Sequence, residues 1–167
     1  KQLMKEKELS VAEEVSMKEK VWDIRGKEPE FLKEVVRELA SKTGALAIAA
    51  TDEGEYFISG YANILDMPEF FDIDLTKTLL TAIDELVCFK PLFDAALEDE
   101  DIHVLMGEEL GPKLVGPYGF VFKRYVTPNQ AGGGEIGVIG PTRLNYTYVV
   151  PTVRYFGNLI EEVARGW

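Results

Sequence analysis

A short strand that ends at a proline turn, GEIGVIGPTRLNY at residues 134–146, constrains the fold of this chain more than any other stretch. Small and apolar residues alternate along it, and Gly137 leaves room for another backbone to approach closely. Pro141 ends the strand because proline has no N–H for the sheet ladder. Arg143 places a cation with a planar fork of donors in the turn, and Asn145 can cap the helix that follows. The stretch therefore predicts a corner of strand, turn and helix whose arginine binds a carboxylate or carbonyl groups.

The first third of the chain predicts two helices and a β-hairpin. Ser10 is followed three residues later by Glu13, a capping box that starts a thinly apolar helix. Pro29 suits the first turn of a second helix with a buried stripe, and Gly44 ends that helix. Two short apolar runs flank an acidic segment, DEGE, which is typical of a turn rather than a metal site. The predicted bounds are helices from residue 10 to 26 and from 29 to 44, and strands at 45–50 and 56–60.

The remaining two thirds predict further helices and three strands. Pro68 breaks a loop or short helix whose Phe70 and Phe71 are expected to enter the core. Asp74 can cap the next helix, and Pro151 lies beyond the first turn of the last helix, which it is expected to kink or delay. The other predicted elements are helices at 75–87 and 90–97, an acidic loop at 98–101, strands at 103–106 and 120–126, and a loop at 107–117.

This order of elements predicts an α+β fold. Two strands, a group of helices and three strands lie between helices, which favours a mainly antiparallel sheet with helices packed on one face in two layers. The helices near the two ends are expected to lie side by side against that sheet. We assign residues 28–167 to this domain and residues 1–27 to a helical arm or linker.

Composition excludes several classes of function. With 167 residues, 46% of them hydrophobic, the chain can bury an ordinary core. Its formal charge of −11 opposes direct phosphate binding, which needs a clustered excess of Lys and Arg. No apolar run reaches the length of a membrane span, and the N-terminus is too charged for a secretory signal. A cytoplasmic location and no membrane partner are therefore expected.

The sequence predicts no catalytic, metal or cofactor site. It has one histidine, His103, and one cysteine, Cys88, and no motif places a nucleophile beside a base. Cys88 is expected to be a small buried residue, and His103 an edge-strand residue with its hydrogen bonds satisfied. Glu108 and Glu109 lie in the loop after the third strand, and we hypothesise that one of them forms a structural ion pair with Arg143.

Three stretches in the expected order resemble the family of the heat-inducible transcription repressor HrcA. The stretch GEIGVIGPTRLNY is similar to the family pattern G-x-I-G-x-I-G-P-T-R-M-x-Y. The residues YANILDMPEF at 61–70 resemble G-x-x-N-L-L-x-x-P-E-F, and MGEE at 106–109 resembles I-G-E-E-N. The resemblance runs from about residue 39 to the end. The signature residues are Asn63, Pro68, Glu69, Phe70, Gly107, Glu108, Glu109, Gly140, Pro141, Thr142, Arg143 and Tyr146.

The resemblance implies a GAF-like domain that serves as the effector and dimerisation region of a repressor of chaperone genes. Members of the family carry a winged helix ahead of this region, which reads an inverted-repeat operator, so residues 1–27 would end that domain or its linker. We accordingly expect this chain, which begins at Lys1, to be part of a longer one. A homodimer, operator DNA bound through the upstream domain, and chaperonin are the partners that the resemblance implies.

One departure from the family pattern affects dimerisation. Longer members carry an inserted dimerisation segment between the hairpin turn and the second motif, whereas here the residues from Glu55 to Ala62 form only a short strand. Dimerisation must then use another surface. The amphipathic arm, with Val15 and Trp22, is our candidate for the contact.

Two other functions fit the same sequence. A GAF-like domain can be a small-molecule sensor without a direct DNA role, in which case Tyr118, Phe120 and Tyr125 would line a ligand site instead of filling the core. The second alternative is a plain dimerisation scaffold, which would bind no ligand.

Overall fold

The computed structural model describes residues 6–85, 89–94, 101–111, 114, 116–128 and 132–167. Five strands form one antiparallel sheet in the order β2-β1-β5-β4-β3. The helices are α1 (Val11–Trp22), α2 (Glu28–Thr43), α3 (Tyr61–Leu65), α4 (Ile73–Asp84), α5 (Lys90–Asp94) and α6 (Tyr146–Ala164), with 3₁₀ helices at Pro68–Phe71 and Gly107–Leu110. The strands are β1 (Leu46–Thr51), β2 (Tyr56–Ser59), β3 (His103–Met106), β4 (Tyr118–Val126) and β5 (Gly133–Pro141).

The strand that carries the signature, β5, lies at the centre of the sheet. It pairs with β1 on one side, where Leu46 faces Ile139, and with β4 on the other. A Cβ atom added at Gly137 would lie 2.3 Å from the Val121 carbonyl oxygen of β4. The glycine is therefore needed for the close approach of these two strands, as the sequence predicts.

One face of the sheet is covered by α1, α2 and α6. Ala47 of β1, Val121 of β4 and Val138 of β5 point into this layer and are fully buried. Helices α2 and α6 pack on each other as well as on the sheet. The α+β class, the antiparallel sheet and the side-by-side helices are thus confirmed. The buried residues that the three helices contribute include Met17, Val21, Leu32, Val36, Leu39, Val149, Val153, Phe156 and Ile160.

The second face of the sheet is also covered, which adds a layer to the predicted arrangement. The shorter helices between β2 and β3 place Ile64, Phe70 and Leu79 against it, and Phe89, which precedes α5, packs there as well. The sequence of β1, LAIAAT, is apolar at five consecutive positions, all of them buried. Such a run is typical of a strand with both faces covered.

Several local predictions differ from the structure. Helix α4 begins two residues earlier than predicted, because the side chain of Asp72 rather than Asp74 accepts from the backbone, at 2.9 Å from Asp74 N and 3.3 Å from Leu75 N. Phe71 is exposed, whereas Phe70 is buried as expected. The last helix begins at Tyr146, so Pro151 lies inside it and does not delay its start. The predicted capping box of α1 is present.

The two residues considered for catalysis have different outcomes. His103 is buried at the edge strand β3, and its ring stacks on Phe122 with 5.0 Å between centroids. Cys88 lies outside the described residues. Within the described ranges, no group of three or more His, Cys, Asp or Glu side chains is placed to hold a metal ion.

Candidate functional site

The corner between β5 and α6 holds Arg143 in a fixed turn. The backbone N–H of Thr142 donates to the Pro117 carbonyl at 3.0 Å, and that of Leu144 donates to the Pro141 carbonyl at 3.1 Å. The Tyr146 hydroxyl donates to the Thr142 carbonyl at 2.8 Å. Asn145 is the residue that precedes α6, but its side chain makes no capping hydrogen bond. The turn is thus fixed by backbone bonds and Tyr146.

Arg143 pairs with Glu69, which joins two of the sequence motifs. The Arg143 Nε donates to Glu69 Oε1, and Nη2 donates to Oε2 at 3.1 Å. The hydrogen bond from Arg143 lowers the pKa of the Glu69 carboxyl. An arginine and a carboxylate joined by two parallel bonds have a defined relative orientation. The hypothesis that Arg143 pairs with Glu108 or Glu109 is therefore wrong: both lie on the 3₁₀ helix Gly107–Leu110, and the Glu109 carboxylate accepts from the backbone N–H of Met106 at 3.2 Å.

Asn63 ties the second motif to the first hairpin. Its side-chain amide donates to the Ala45 carbonyl at 2.8 Å and to the Ala40 carbonyl at 3.2 Å. The preceding turn needs Gly60, whose φ is 97° and whose added Cβ would lie 2.4 Å from the Ala45 carbonyl oxygen. Asn63 thus satisfies two backbone carbonyls near the end of α2 and the start of β1.

The buried half of the second motif is centred on Phe70. Its ring stacks on Tyr118 of β4, with 5.7 Å between centroids and an angle of 15° between planes. The Tyr118 hydroxyl donates to the Leu75 carbonyl at 2.6 Å, and the Thr76 hydroxyl donates to the Phe70 carbonyl. Pro68 opens the 3₁₀ helix that carries Phe70. The structure therefore joins the 3₁₀ helix of Pro68, Glu69 and Phe70 to the turn of Arg143 through the Glu69–Arg143 pair, whereas Asn63 and Tyr146 bond to backbone carbonyls.

The arm binds α6 through contacts that sequence reasoning missed. The backbone N–H of Lys7 donates to the Thr147 carbonyl at 2.8 Å. Glu6 accepts two bonds from Arg154, at 2.7 and 2.8 Å, and the Tyr155 hydroxyl donates to the Glu14 carbonyl at 2.9 Å. The one available signal was Pro151, since a proline inside a helix leaves a carbonyl without its helical donor.

A buried lysine of the sheet belongs to the same group of ion pairs as Arg154 of α6. Lys123 of β4 is buried, and its Nζ lies 2.8 Å from Asp101 Oδ1 and 4.0 Å from Glu161 Oε1. Arg154 also donates to Asp101. Burial raises the pKa of the Asp101 carboxyl, but hydrogen bonds from the two cations outweigh it and lower the pKa overall. Asp101 therefore links the segment before β3 to both β4 and α6.

The two residues proposed for the dimer contact differ in their surroundings. Val15 is exposed on α1. Trp22 is half-buried, and its ring lies 4.4 Å from Lys18 Nζ and 4.3 Å from the Arg25 guanidinium. These cation contacts give the indole an intramolecular environment on this protomer.

A cavity of about 250 Å³ lies at the end of the sheet near the β1–β2 turn. Arg124 at its wall pairs with Asp52 at 2.6 Å and with Glu135 at 2.8 Å, and burial raises the pKa of the Glu135 carboxyl. Tyr118, Phe120 and Tyr125, which the sensor hypothesis placed in a ligand site, are buried side chains of the core.

In the part of the chain that the structure describes, no helix is long and apolar enough to span a membrane.

The family model and the curated relatives that match this chain carry the same protein name. The family model for the HrcA protein C terminal domain matches residues 1–150. The heat-inducible transcription repressor HrcA of Geobacter sulfurreducens is 31% identical over 115 residues, which are 69% of this chain and 33% of that protein. The repressor of the same name from Sorangium cellulosum is 32% identical over 123 residues, which are 72% of this chain and 35% of that protein. This chain thus spans about a third of the length of the curated relatives it matches.

A solved structure supports the fold alone. The crystal structure of a hypothetical protein superposes with a TM-score of 0.66 and covers 81% of this chain and 67% of that chain, at 12% sequence identity. The two chains therefore share the GAF-like α+β architecture.

Proposed function

This chain belongs to the HrcA C-terminal domain family, and from that we propose that it is the effector and dimerisation region of a heat-inducible transcriptional repressor. The observation that carries the proposal is the family match over residues 1–150. In this role the chain acts in the cytoplasm on gene expression and catalyses no reaction. Its targets are chaperone genes that carry an inverted-repeat operator of the CIRCE type.

The operator is contacted by an upstream winged-helix domain rather than by these residues. The charge of −11 supports this division, because a DNA-binding surface needs clustered cations. An inverted repeat presents two half-sites, so a two-fold dimer is the matching assembly. Chaperonin is the partner that restores the folded repressor, and heat releases repression by removing the folded state.

The arm connects the DNA-binding domain to the GAF-like domain in this proposal. We keep residues 1–27 as the arm and 28–167 as the domain. The bonds from Lys7, Glu6 and Glu14 to α6 support a fixed connection, since they hold the chain from residue 6 onward against the core. A rigid connection would set the spacing of two DNA-binding domains in a dimer.

The experiment measures fluorescence anisotropy of a labelled inverted-repeat chaperone operator at fixed salt. The natural full-length protein is titrated in parallel with this chain, and a duplex of the same composition with one half-site scrambled is the control. We expect tight binding only by the full-length protein and only to the intact repeat. Equal binding to both duplexes, or no binding by the full-length protein, would contradict the proposal.

A small-molecule sensor is the second candidate, and the cavity beside Arg124 favours it. A carboxylate or phosphate group on a metabolite could compete with Asp52 and Glu135 for that guanidinium. A thermal-shift screen with nucleotides and organic acids tests this candidate, with Arg124→Gln as the matched variant. A compound that stabilises the parent and leaves the variant unchanged would support sensing, and the absence of any such compound would count against it.

A further inference from the structure

The segment from α3 to the start of α4 exposes four large apolar side chains within 13 residues. Tyr61, Leu65, Phe71 and Ile73 are 46%, 56%, 69% and 79% exposed. Tyr61 and Leu65 are four residues apart on α3, so they share one side of that helix. A concentration of exposed apolar side chains in a soluble domain marks an interaction site more often than a neutral surface.

This segment is held rigidly to the core from beneath. Asn63 bonds to two carbonyls, the Glu69 carboxylate is held by Arg143, and Phe70 stacks on Tyr118. The Thr76 hydroxyl bonds to the Phe70 carbonyl. The exposed side chains therefore project from a backbone that is already ordered, so binding there has a small cost in conformational entropy.

Most of the charged residues beside the exposed side chains in the sequence are acidic. Asp66, Asp72 and Asp74 are exposed between and beside them, and the nearest cation along this stretch is the exposed Lys77, one turn along α4 from Ile73. Arg143, which approaches this segment, is already paired with Glu69. A second copy placed with two-fold symmetry on this surface would bring its own aspartates against these, which is unfavourable.

We propose that this surface, formed by Tyr61, Leu65, Phe71 and Ile73 with Asp66 and Asp74, docks a cationic amphipathic segment of a partner protein. The apolar side chains bind the apolar face of the segment, and the aspartates bind its Lys and Arg residues. This proposal is independent of the repressor assignment, since it depends only on the exposure and charge of residues 61–74.

The test uses fluorescein-labelled designed peptides and the full 167-residue chain. The first peptide is an amphipathic helix of Leu and Lys, the second has Glu in place of Lys, and the third has Ser in place of Leu. We expect anisotropy to report saturable binding of the first peptide alone, weakened by salt because of the aspartates. Equal binding of the first and third peptides would overturn the proposal, since it would show charge attraction without the apolar surface.

Two pairs of variants locate the binding. The first test protein is the double variant Phe71→Ser and Ile73→Ser. Its control is the double variant Val11→Ser and Val126→Ser, which removes exposed apolar side chains elsewhere on the protein. Asp66→Asn with Asp74→Asn is compared with Glu53→Gln and Glu55→Gln in the exposed hairpin turn. We expect each first pair to weaken peptide binding about tenfold and each control pair to leave it within about twofold. Control variants that weaken binding as much as the test variants would overturn the proposal.

Sedimentation velocity distinguishes the partner from a second copy. We expect the Phe71→Ser and Ile73→Ser variant to have the same sedimentation coefficient as the parent across a range of concentrations. If the variant instead loses a dimer that the parent forms, the surface is a self-association site and the proposal is wrong. Unfolding midpoints measured on the same samples check whether the exposed substitutions leave the fold intact.

Discussion

Pro151 and Lys7 are connected through one carbonyl oxygen. Pro151 has no N–H, so the Thr147 carbonyl one turn earlier in α6 lacks its helical donor, and the Lys7 backbone N–H donates to it at 2.8 Å. A residue that normally weakens a helix thus creates the acceptor by which the arm is held. The arm and the last helix are therefore coupled by the backbone as well as by side chains.

The Pro151→Ala variant tests this coupling. The new N–H competes for the Thr147 carbonyl, so we expect faster hydrogen exchange at the Lys7 amide although α6 gains a helical bond. Arg154→Gln is the matched control, because it removes the pair with Glu6 and leaves the Lys7 bond in place. Unchanged protection of the Lys7 amide in Pro151→Ala would contradict this account.

Phe70 and Phe71 are adjacent residues with opposite environments. Phe70 is 3% exposed and stacks on Tyr118, so Phe70→Ala is expected to lower the free energy of unfolding by about 3–5 kcal/mol. Phe71→Ala should change it by no more than about 0.5 kcal/mol. Urea denaturation measures both, and a similar loss in the two variants would show that Phe71 is not exposed.

Alanine substitutions at Gly60 and Gly54 distinguish the cost of a left-handed backbone conformation from the cost of a steric clash. Their φ angles are 97° and 94°, but an added Cβ at Gly54 meets nothing within 4 Å, whereas at Gly60 it would lie 2.4 Å from a carbonyl oxygen. Gly54→Ala should cost about 1–2 kcal/mol of unfolding free energy from the left-handed conformation alone. Gly60→Ala should cost clearly more. Thermal or urea denaturation checks the difference, and equal losses would reject the contact.

The pair of Glu69 and Arg143 predicts a change in stability at acid pH. The pKa of Glu69 is lowered in the folded protein, so the unfolded chain takes up the proton first as pH falls. The contribution of the pair is present above the ordinary glutamate pKa of 4.5 and is lost as pH falls through the folded value. Stability measured between about pH 6 and about pH 3 should therefore decline less in Arg143→Gln than in the parent. Parallel curves would argue against the pair.

The proposed dimer predicts an effect of the arm on sedimentation. Trp22→Ala and Val15→Ser should shift a monomer–dimer equilibrium toward monomer, because they remove apolar area from the proposed contact. Val126→Ser, at an exposed position on β4, is the control. A Trp22→Ala protein as dimeric as the parent would reject the arm as the dimer surface.

Much of the fold follows from local patterns in the sequence. The glycines and Pro141 predict the end of β5, the capping box predicts α1, and helical spacing predicts the buried faces of α2 and α6. The second covered face was missed because an apolar run such as LAIAAT does not itself indicate whether one or both sides are buried. The start of α4 was missed because Asp72 and Asp74 are equally suitable caps in a linear sequence.

The candidate site was predicted in part. Arg143 and Glu69 are each conspicuous in their motifs, but their pairing spans 74 residues and depends on how α3 and the 3₁₀ helix pack beneath the sheet. The prediction chose Glu108 and Glu109 instead, because carboxylates in a loop with glycine and proline are usually solvated or ion-paired. For the bond from Lys7 to Thr147 the sequence indicates only the acceptor, because Pro151 leaves the Thr147 carbonyl without its helical donor; the donor is a backbone N–H, which residue identity does not reveal.

The central position of β5 has a consequence for how the protein is made. Strand β1 pairs with its neighbour in sequence, β2, but its other edge pairs with residues 134–139, which are synthesised only after all the elements from α3 to β4. Pairing between such distant segments is slow, and an unpaired apolar edge can associate with other chains in the meantime. The nascent chain is therefore exposed to aggregation until β5 has been synthesised, and its yield should rise with the capacity of the cell to shield unfinished chains.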